Sequence, residues 1–271
     1  MENNFSLKDK VIVVTGGTGI IGNAFINGIV AAGGTVGILG RNERIAEERV
    51  QNIIDKGGLA IALIADVTDE LQLIASKEKM LSKFGKIDGL VNAAGGNMPD
   101  AIIEPEQDIF KLNVTALEEV MRLNLLGTIL PTQVFGEAIK NNGSGSIVNI
   151  SSVVSQLAVT KVLGYSLAKS SIDSYTKWFA VELARRYGDT IRMNSIAPGF
   201  FLTEQNKTLL TNLDGSLTER GNLVIKNTPF NRFGNPDELI GALVWLLSDA
   251  SKFVTGSKIT VDGGFTIYSG V

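Results

Sequence analysis

KVIVVTGGTGIIG, residues 10–22, is an apolar run that ends in a cluster of glycines. A continuous run of β-branched residues predicts a strand that is buried on both faces, as in a parallel sheet. A helical pattern begins where the glycines end. This one stretch therefore predicts the strand, turn and helix with which an α/β fold starts.

The glycines of this stretch have a spacing that is typical of dinucleotide binding. Gly17, Gly19 and Gly22 form a GxGxxG pattern between the strand and the helix. Such a turn lets the backbone approach a pyrophosphate, which the free N–H groups and positive dipole end of the helix can bind. The alternative is a turn that serves only close packing. The residues expected at the dinucleotide are Gly16, Gly17, Thr18, Gly19, Ile20, Ile21 and Gly22.

Strand and helix patterns alternate along the rest of the chain. This alternation predicts a parallel sheet with right-handed crossovers. No repeat or linker divides residues 1–271, so we expect a single-domain, Rossmann-type, doubly wound parallel sheet of about seven strands with helices on both faces. The segment 200–235 is longer than most connections and predicts a lid over a binding site. Pro131 should kink or break the helix predicted over 112–140. Further strands are predicted near 34–40, 59–67, 86–96, 145–152, 190–199 and 256–264.

The end of the second predicted strand bears on which dinucleotide binds. An NAD site usually has an acidic residue here, whereas this chain reads LGRN, with Gly40 followed by Arg41 and Asn42. A guanidinium beside a glycine accommodates the 2′-phosphate that an aspartate would repel. We therefore expect NADP, with NAD as the alternative. Arg41 is otherwise a solvated arginine at a helix start.

Two further loops follow predicted strands at the edge where ligands bind in open α/β sheets. Asp66 is expected to bind an adenine amino group, and Asn92 either contacts the cofactor or joins neighbouring strands. Turn formation is the alternative for each loop. The cofactor residues expected here are Asp66, Val67, Asn92, Ala93, Ala94 and Gly95.

The composition excludes several kinds of chemistry. The chain has no histidine and no cysteine, which excludes a Ser-His-Asp triad, a thiol nucleophile and a Cys/His zinc site, and we expect no metal. The formal net charge of −3 gives no basic face for nucleic acid. No apolar run is long enough for a membrane span, and the N-terminus lacks a signal-peptide pattern. We expect a cytoplasmic protein without membrane contact.

The stretch SSVVSQLAVTKVLGYSLAK, residues 151–169, contains groups that catalyse proton transfer without histidine. Tyr165 and Lys169 are four residues apart on a predicted helix and share a face. An ammonium at about 4 Å with an effective dielectric near 20 supplies on the order of 4 kcal/mol. That is enough to lower the pKa of a tyrosine by about 3 units toward neutrality. Ser152, at the end of the fifth strand, would hold the substrate oxygen, and Asn124 could join from the preceding helix.

With these motifs in order, the sequence resembles the short-chain dehydrogenase/reductase family over essentially its whole length. TGGTGIIG, NAAG, NISS, YSLAK and APG occur in the family's order and spacing, although the family usually has a glycine where this chain has Ile20. The resemblance implies a nicotinamide cofactor, a homotetramer and a catalytic set of Asn124, Ser152, Tyr165 and Lys169. It also implies that Lys169 and Tyr165 contact the cofactor, together with Pro198, Gly199 and Thr203.

NAAGGNMP and RFGNPDELIGALVWL are similar to a narrower subgroup, the D-mannonate oxidoreductases or fructuronate reductases. That similarity implies a small-molecule substrate, a sugar acid of the D-mannonate/D-fructuronate type. Surface loop positions are the alternative for each expected substrate contact: Asn97, Lys161, Gln205, Asn206 and Arg232. Three other functions remain: a reductase of 3-oxoacyl thioesters or of other polyols and ketones, a nucleotide-sensing protein without catalysis, and a serine hydrolase with lysine as base.

Overall fold

The computed structural model describes residues 4–203 and 207–270, with the side chain of Thr208 left out. Within these residues seven parallel strands form one sheet in the order β3-β2-β1-β4-β5-β6-β7. The strand order reverses between β1 and β4, which is where open α/β sheets form a ligand crevice. The strands are β1 Val11–Thr15, β2 Thr35–Gly40, β3 Ala60–Ile64, β4 Gly89–Asn92, β5 Gly145–Ile150, β6 Ile191–Pro198 and β7 Lys258–Val261.

Helices cover both faces of the sheet. Consecutive residues of β1 alternate between two hydrophobic cores: Ile12 and Val14 pack on one face, and Val11 and Val13 on the other. The first face is covered by α1, α2 and α9, and the second by α3, α5 and α6. The expected fold is therefore confirmed. The helices are α1 Ile20–Ala31, α2 Glu43–Ile54, α3 Glu70–Phe84, α4 Val114–Met121, α5 Gly127–Asn142, α6 Leu163–Tyr187, α7 Lys207–Leu210, α8 Glu219–Lys226 and α9 Ile240–Leu247.

The prediction that Pro131 breaks its helix is wrong in position. α5 runs through Pro131, and the irregular turn lies one turn earlier, as a π-helical segment at Arg122–Leu126 between α4 and α5. A proline cannot donate a backbone hydrogen bond, and its ring clashes with the carbonyl four residues before it. That carbonyl belongs to Gly127 in α5, so Pro131 does not account for the π-helical segment, which contains Asn124. Wide turns of this kind are frequent at functional sites.

The described part of the 200–235 segment is folded against the sheet edge. It contains α7 and α8, and two isolated bridges join Phe201 to Gly234 and Thr211 to Leu217. Leu209, Leu210 and Arg220 of this segment line a cavity beside the carboxyl ends of the strands. In the described part of the chain, no helix has the length and apolar character that a membrane crossing requires.

Candidate active site

A cleft of about 690 Å³ lies over the carboxyl ends of the strands, at the point where the strand order reverses. Ligand sites in proteins have volumes of about 300–1,000 Å³, so the cleft is large enough for a dinucleotide. The glycine turn forms one wall, the ends of β2 and β3 form another, and the loop after β4 forms the floor. Tyr165, Lys169 and Thr203 line it as well.

The glycine turn packs so closely against neighbouring backbone that side chains would not fit at two of its positions. Gly16 has φ +66°, and a Cβ on it would lie 2.7 Å from the carbonyl oxygen of Ala93. A Cβ on Gly22 would collide with the carbonyl of Gly16. The chain can therefore turn from β1 into α1 only with glycine at these positions. This bare turn is what a pyrophosphate needs for close approach, so its shape fits the expected dinucleotide.

Two of the expected cofactor residues beside this turn have structural contacts instead. The backbone N–H of Gly17 donates to Leu39 at 2.9 Å, and Gly17 faces Ile38 rather than the cleft. Asn42 is the N-cap of α2, where its Oδ1 accepts from the N–H of Ile45 at 3.1 Å. Neither residue lines the cleft. Strand packing accounts for Gly17, and helix capping accounts for Asn42.

Two arginine side chains line the cleft near the end of β2, where the adenosine ribose of a dinucleotide would lie. Arg41 lines the cleft with its side chain 76% exposed, and its Nη1 lies 3.6 Å from Asp66 Oδ2. Arg49 reaches the cleft from α2, and its Nη1 donates to the carbonyl oxygens of Gly17 and Gly19. Burial lowers the pKa of the Arg49 guanidinium. The pair gives this end of the cleft positive charge.

Sequence reasoning missed Arg49, although α2 carries a signal for it. The buried residues of this helix are Ala46, Val50 and Ile53. Arg49 lies three residues after Ala46 and one turn before Ile53, so it shares the inward face. A cation on the apolar side of an amphipathic helix is a candidate for a binding role.

The loop after β3 keeps a charged carboxylate at the cleft. Burial by itself would raise the pKa of Asp66, but hydrogen bonds from Thr68 and the charges of Arg41 and Arg122 lower it below its ordinary value. The Thr68 N–H and hydroxyl both donate to Asp66 Oδ1 at 2.8 Å. Asp66 and Val67 both line the cleft, as expected. An ionised acceptor at this position suits an amino group.

Asn92 joins strands and does not line the cleft. It is 1% exposed, and its Nδ2 donates at 2.9 Å to Thr132 and to Asn149. These bonds tie β4 to β5 and α5, which is the second of the two roles that the sequence left open. Ala93 and Ala94 do line the cleft, and their backbone N–H groups both donate to the Thr15 hydroxyl at 3.1 Å. The side chain of β1 thus fixes the loop that forms the floor.

Ser152, Tyr165 and Lys169 meet at one end of the cleft. The Ser152 hydroxyl lies close enough to the Tyr165 phenol to lower the pKa of the phenol. Lys169 Nζ donates to the carbonyl oxygen of Ile150 at 2.8 Å and lies 5.3 Å from the centroid of the Tyr165 ring. The end of β5 positions the serine, and one face of α6 positions the other two. The structure thus brings the three groups together, with the tyrosine next to both of the others.

The pKa of Tyr165 shifts in the direction opposite to the expected one. Burial raises it to about 12, and the nearby Ser152 hydroxyl only partly offsets this effect. Burial lowers the pKa of Lys169 to about 8, while the charge of Asp173 acts to raise it. The loss of water around the phenol outweighs the attraction of the ammonium, so the expected lowering was wrong for the protein alone. At neutral pH the phenol holds its proton as a donor.

Asn124 holds the floor of the cleft from below. Its Nδ2 donates to Gly96 O at 2.7 Å and to Val120 O at 2.8 Å, and its Oδ1 accepts from the Gly96 N–H at 3.0 Å. The side chain is fully buried and does not line the cleft. In the structure it therefore positions the loop at Gly95 and Gly96, instead of facing the reacting groups directly.

A second, smaller cavity of about 160 Å³ adjoins the cleft. Asn97, Tyr165 and Thr203 line both spaces, so the phenol stands at their junction. Pro198 and Gly199, expected at the cofactor, line this cavity and not the cleft, because β6 ends on its far side. The arrangement gives a cofactor-sized cleft and a small substrate-sized cavity with a proton donor between them.

The expected substrate residues divide into one that lies at the junction and others that do not. Lys161 is ion-paired to Glu104 at 2.8 Å and lines neither space. Arg232 binds both carboxylate oxygens of Glu238 and borders a separate cavity of about 70 Å³. Ion pairing at other places thus accounts for these two cations. Asn97 does lie at the junction. Gln205 and Asn206 lie outside the described residues.

The comparison with known proteins now identifies the family. A sequence profile described as Enoyl-(acyl carrier protein) reductase matches residues 18–266. The uncharacterized oxidoreductase UxuB of Bacillus subtilis is 42% identical over 98% of each chain. The chain belongs to the short-chain dehydrogenase/reductase family. It is an oxidoreductase, as the resemblance implied, and the family uses NAD(P).

Solved structures of the short-chain dehydrogenase/reductase family are similar to this chain over nearly its whole length. One, from Haemophilus influenzae, is provisionally named a D-mannonate oxidoreductase and has bound NAD; it is 37% identical, with a TM-score of 0.89 and 98% of each chain covered. Another is a gluconate 5-dehydrogenase from Burkholderia cenocepacia in complex with NADP and tartrate. It is 33% identical, with a TM-score of 0.84, and the match covers 97% of this chain and 98% of that one.

Proposed function

We propose that this oxidoreductase transfers a hydride between NADP and a keto or hydroxyl group of a sugar acid of the D-mannonate/D-fructuronate type. One observation carries the proposal. The Tyr165 phenol, close to both Ser152 and Lys169, lies where a dinucleotide-sized cleft joins a small cavity. A carbonyl at this junction would lie between a proton donor and a bound nicotinamide.

The residues of the chain supply proton transfer and orientation. In the reductive direction the Ser152 and Tyr165 hydroxyls donate hydrogen bonds to the substrate carbonyl, and Tyr165 gives its proton to that oxygen as the alcohol forms. The Lys169 ammonium, 5.3 Å from the ring centroid, stabilises the phenolate that remains. When bound, the nicotinamide supplies the hydride in reduction and accepts it in oxidation.

The cofactor would be held along the length of the cleft. Gly16, Gly19 and Gly22 would take the pyrophosphate, and Asp66 the adenine. Lys169 and Thr203 would take the ribose and carboxamide of the nicotinamide half, as the family resemblance implies. The preference for NADP rests on the two arginines at the end of β2, since guanidinium groups bind phosphate well. One solved relative has NAD and the other NADP.

The size of the second cavity supports a compact substrate. Its volume is about 160 Å³, and a cavity of about 150 Å³ holds a benzene molecule. A long acyl chain or its thioester is not enclosed by such a cavity, whereas part of a six-carbon acid fits in it, with the rest at the junction with the cleft. The two solved relatives, with their D-mannonate and gluconate names, support the same substrate class.

A second candidate function is favoured by the walls of this cavity. Much of the lining is apolar, with Val153, Val154, Val159, Val162 and Phe200 among its residues. Such walls suit a small ketone or keto acid with an apolar body, which corresponds to the alternative of a ketone or short 3-oxoacyl reductase. The polar groups at the junction favour a hydroxylated substrate.

The test is a substrate panel followed by the absorbance of the reduced nicotinamide. NADPH and NADH are each combined with fructuronate, 5-ketogluconate, acetoacetate and an acetoacetyl thioester. We expect the highest kcat/KM for a sugar acid with NADPH. Turnover of acetoacetate or its thioester alone would replace the sugar acid with the second candidate. Nucleotide binding without turnover of any substrate would favour the sensing function.

Three wider expectations belong to this proposal. The homotetramer is supported by the family resemblance and by exposed apolar side chains on α6, among them Leu167, Trp178 and Val181. The segment 200–235 would act as a lid over the cavity that its helices line. The cytoplasmic location stays a prediction.

A further inference from the structure

Arg220 is a cation in the small cavity that sequence reasoning did not select. It is the only charged residue among the described residues that line this cavity, which also contains the Ser152 and Tyr165 hydroxyls. It belongs to α8 in the 200–235 segment. A full charge in a mostly apolar cavity next to the reacting groups requires a counter-charge or another ligand.

The guanidinium is fixed in place but has no acidic partner in the described chain. Its Nη2 donates to the carbonyl oxygen of Thr160 at 3.1 Å, and its Nη1 to the Thr160 hydroxyl at 3.3 Å. No carboxylate within residues 4–203 and 207–270 forms an ion pair with it. A guanidinium has five N–H donors, so donors remain for a ligand after Thr160 is bound.

The position of Arg220 in its helix is unfavourable for a structural cation. Thr218 caps α8 by accepting from the N–H of Gly221 at 3.0 Å, which places Arg220 in the first turn. The positive end of the helix dipole disfavours a cation there and favours an anion. A bound carboxylate would be attracted by both the guanidinium and the helix end.

Asn97 provides a second polar group that could bind a ligand. Its side-chain nitrogen and oxygen are both buried and have no hydrogen-bond partner among the described residues. Buried amides are almost always paired, so an unpaired one at the junction of two cavities points to a ligand. A sugar hydroxyl can both donate to and accept from this amide.

We propose that Arg220 binds the substrate carboxylate and that Asn97 binds a substrate hydroxyl, so that the cavity selects hydroxylated acids over neutral polyols. This inference rests on the proposed function and names the residues that give it specificity. The keto or hydroxyl carbon is then placed at Ser152 and Tyr165 while the acid end of the same molecule is held on α8.

The experiment compares D-mannonate with D-mannitol, which has a hydroxymethyl group in place of the carboxylate, in the oxidative direction. For the Arg220→Gln variant we expect kcat/KM on D-mannonate to fall by roughly 50-fold, mainly through KM, because a half-buried charge partner is lost. Activity on D-mannitol and affinity for NADPH should not change. Arg220→Lys should restore part of the loss, since the positive charge returns.

Lys161→Gln is the matched control, because Lys161 is a nearby cation that already has a carboxylate partner. It should leave the ratio of the two substrates unchanged. An Arg220→Gln variant that keeps its preference for D-mannonate, or that loses activity equally on acid and polyol, overturns the inference. If the wild type turns over neither substrate, the proposed function has failed. In that case calorimetry of D-mannonate binding to the NADPH-loaded protein tests whether Arg220 binds the carboxylate. Equal affinity in wild type and Arg220→Gln refutes that role of Arg220.

Discussion

Tyr165 and Lys169 share a buried face of α6, where burial moves their pKa values in opposite directions. The phenol has a pKa of about 12 and the ammonium a pKa of about 8. Over the neutral range both groups are therefore mostly protonated. This is the state that a proton donor and its stabilising cation need for reduction of a carbonyl.

This pair predicts the pH dependence of the reductive reaction. Lys169 is charged below about pH 8 and loses its proton above it, so kcat/KM for the keto substrate should be level at neutral pH and fall above about pH 8. Tyr165 keeps its proton throughout that window. Asp173→Asn removes a charge that raises the pKa of Lys169, so the fall should move to lower pH.

Glu182→Gln is the control for that profile, because Glu182 lies on the same helix and pairs with Arg186. Asp173 also accepts from Ser151 at 2.5 Å and pairs with Lys258 at 2.7 Å, so thermal unfolding must show that the variant is folded. If the pH profile of Asp173→Asn matches that of the wild type, the charge of Asp173 does not raise the pKa of Lys169.

The same residues show what sequence reasoning misses at this scale. The spacing of Tyr165 and Lys169 on a helix was sufficient to place them together, and the structure agrees. The spacing did not predict the direction of the shift in the Tyr165 pKa, because that direction depends on how much water the folded chain removes from the phenol. Spacing predicts proximity, but burial depends on contacts from β5 and the loops.

At the scale of elements, the end of β2 and the start of α2 set the charge at the adenosine side of the cleft. Gly40 itself is tightly packed, since a Cβ on it would lie 2.7 Å from the Thr18 hydroxyl oxygen. An acidic side chain at position 40 would therefore have to displace Thr18. The local packing of β2 against the glycine turn thus accounts for the glycine at position 40, and the expectation of NADP rests on the charge of the arginines.

Reversal of the charge at Arg41 should reverse the cofactor preference. For Arg41→Asp we expect the ratio of kcat/KM for NADPH to that for NADH to fall by about 100-fold, because the new carboxylate would repel the 2′-phosphate of NADPH. Arg41→Gln should give an intermediate ratio. Arg44→Gln is the control, since Arg44 pairs with Glu48 one turn along the exposed face of α2. An unchanged ratio in Arg41→Asp would remove Arg41 from the cofactor site.

The sequence was most informative about the positions of the strands and helices. Buried parallel strands are apolar runs that end in turns, so β1 to β7 and the longer helices between them could be read from pattern alone, whereas the short α7 and α8 could not. Gly17 and Asn42 were expected at the cofactor by position, but Gly17 packs between strands and Asn42 caps a helix. Asn92 was expected either there or between strands, and it joins strands. Arg220 could not be found, because only the folded loops bring it into one cavity with Asn97, which the sequence did select.

At the scale of the whole molecule, one sheet brings distant parts of the chain to one site. The glycine turn, the loop after β4, the end of β5 and the start of α6 meet where the strand order reverses. Leu209 and Leu210 of α7 and Arg220 of α8 then line the second cavity. The sequence predicted this segment as a lid because of its length, but its contribution of a cation depends on the tertiary fold.

The most direct test of the central claim is the turnover of Tyr165→Phe with NADPH and the best substrate of the panel. If the phenol is the proton donor, kcat should fall by about 100- to 10,000-fold, while the affinity for NADPH, measured by fluorescence titration, should stay at the wild-type value. A folded Tyr165→Phe variant with close to wild-type kcat would contradict the account.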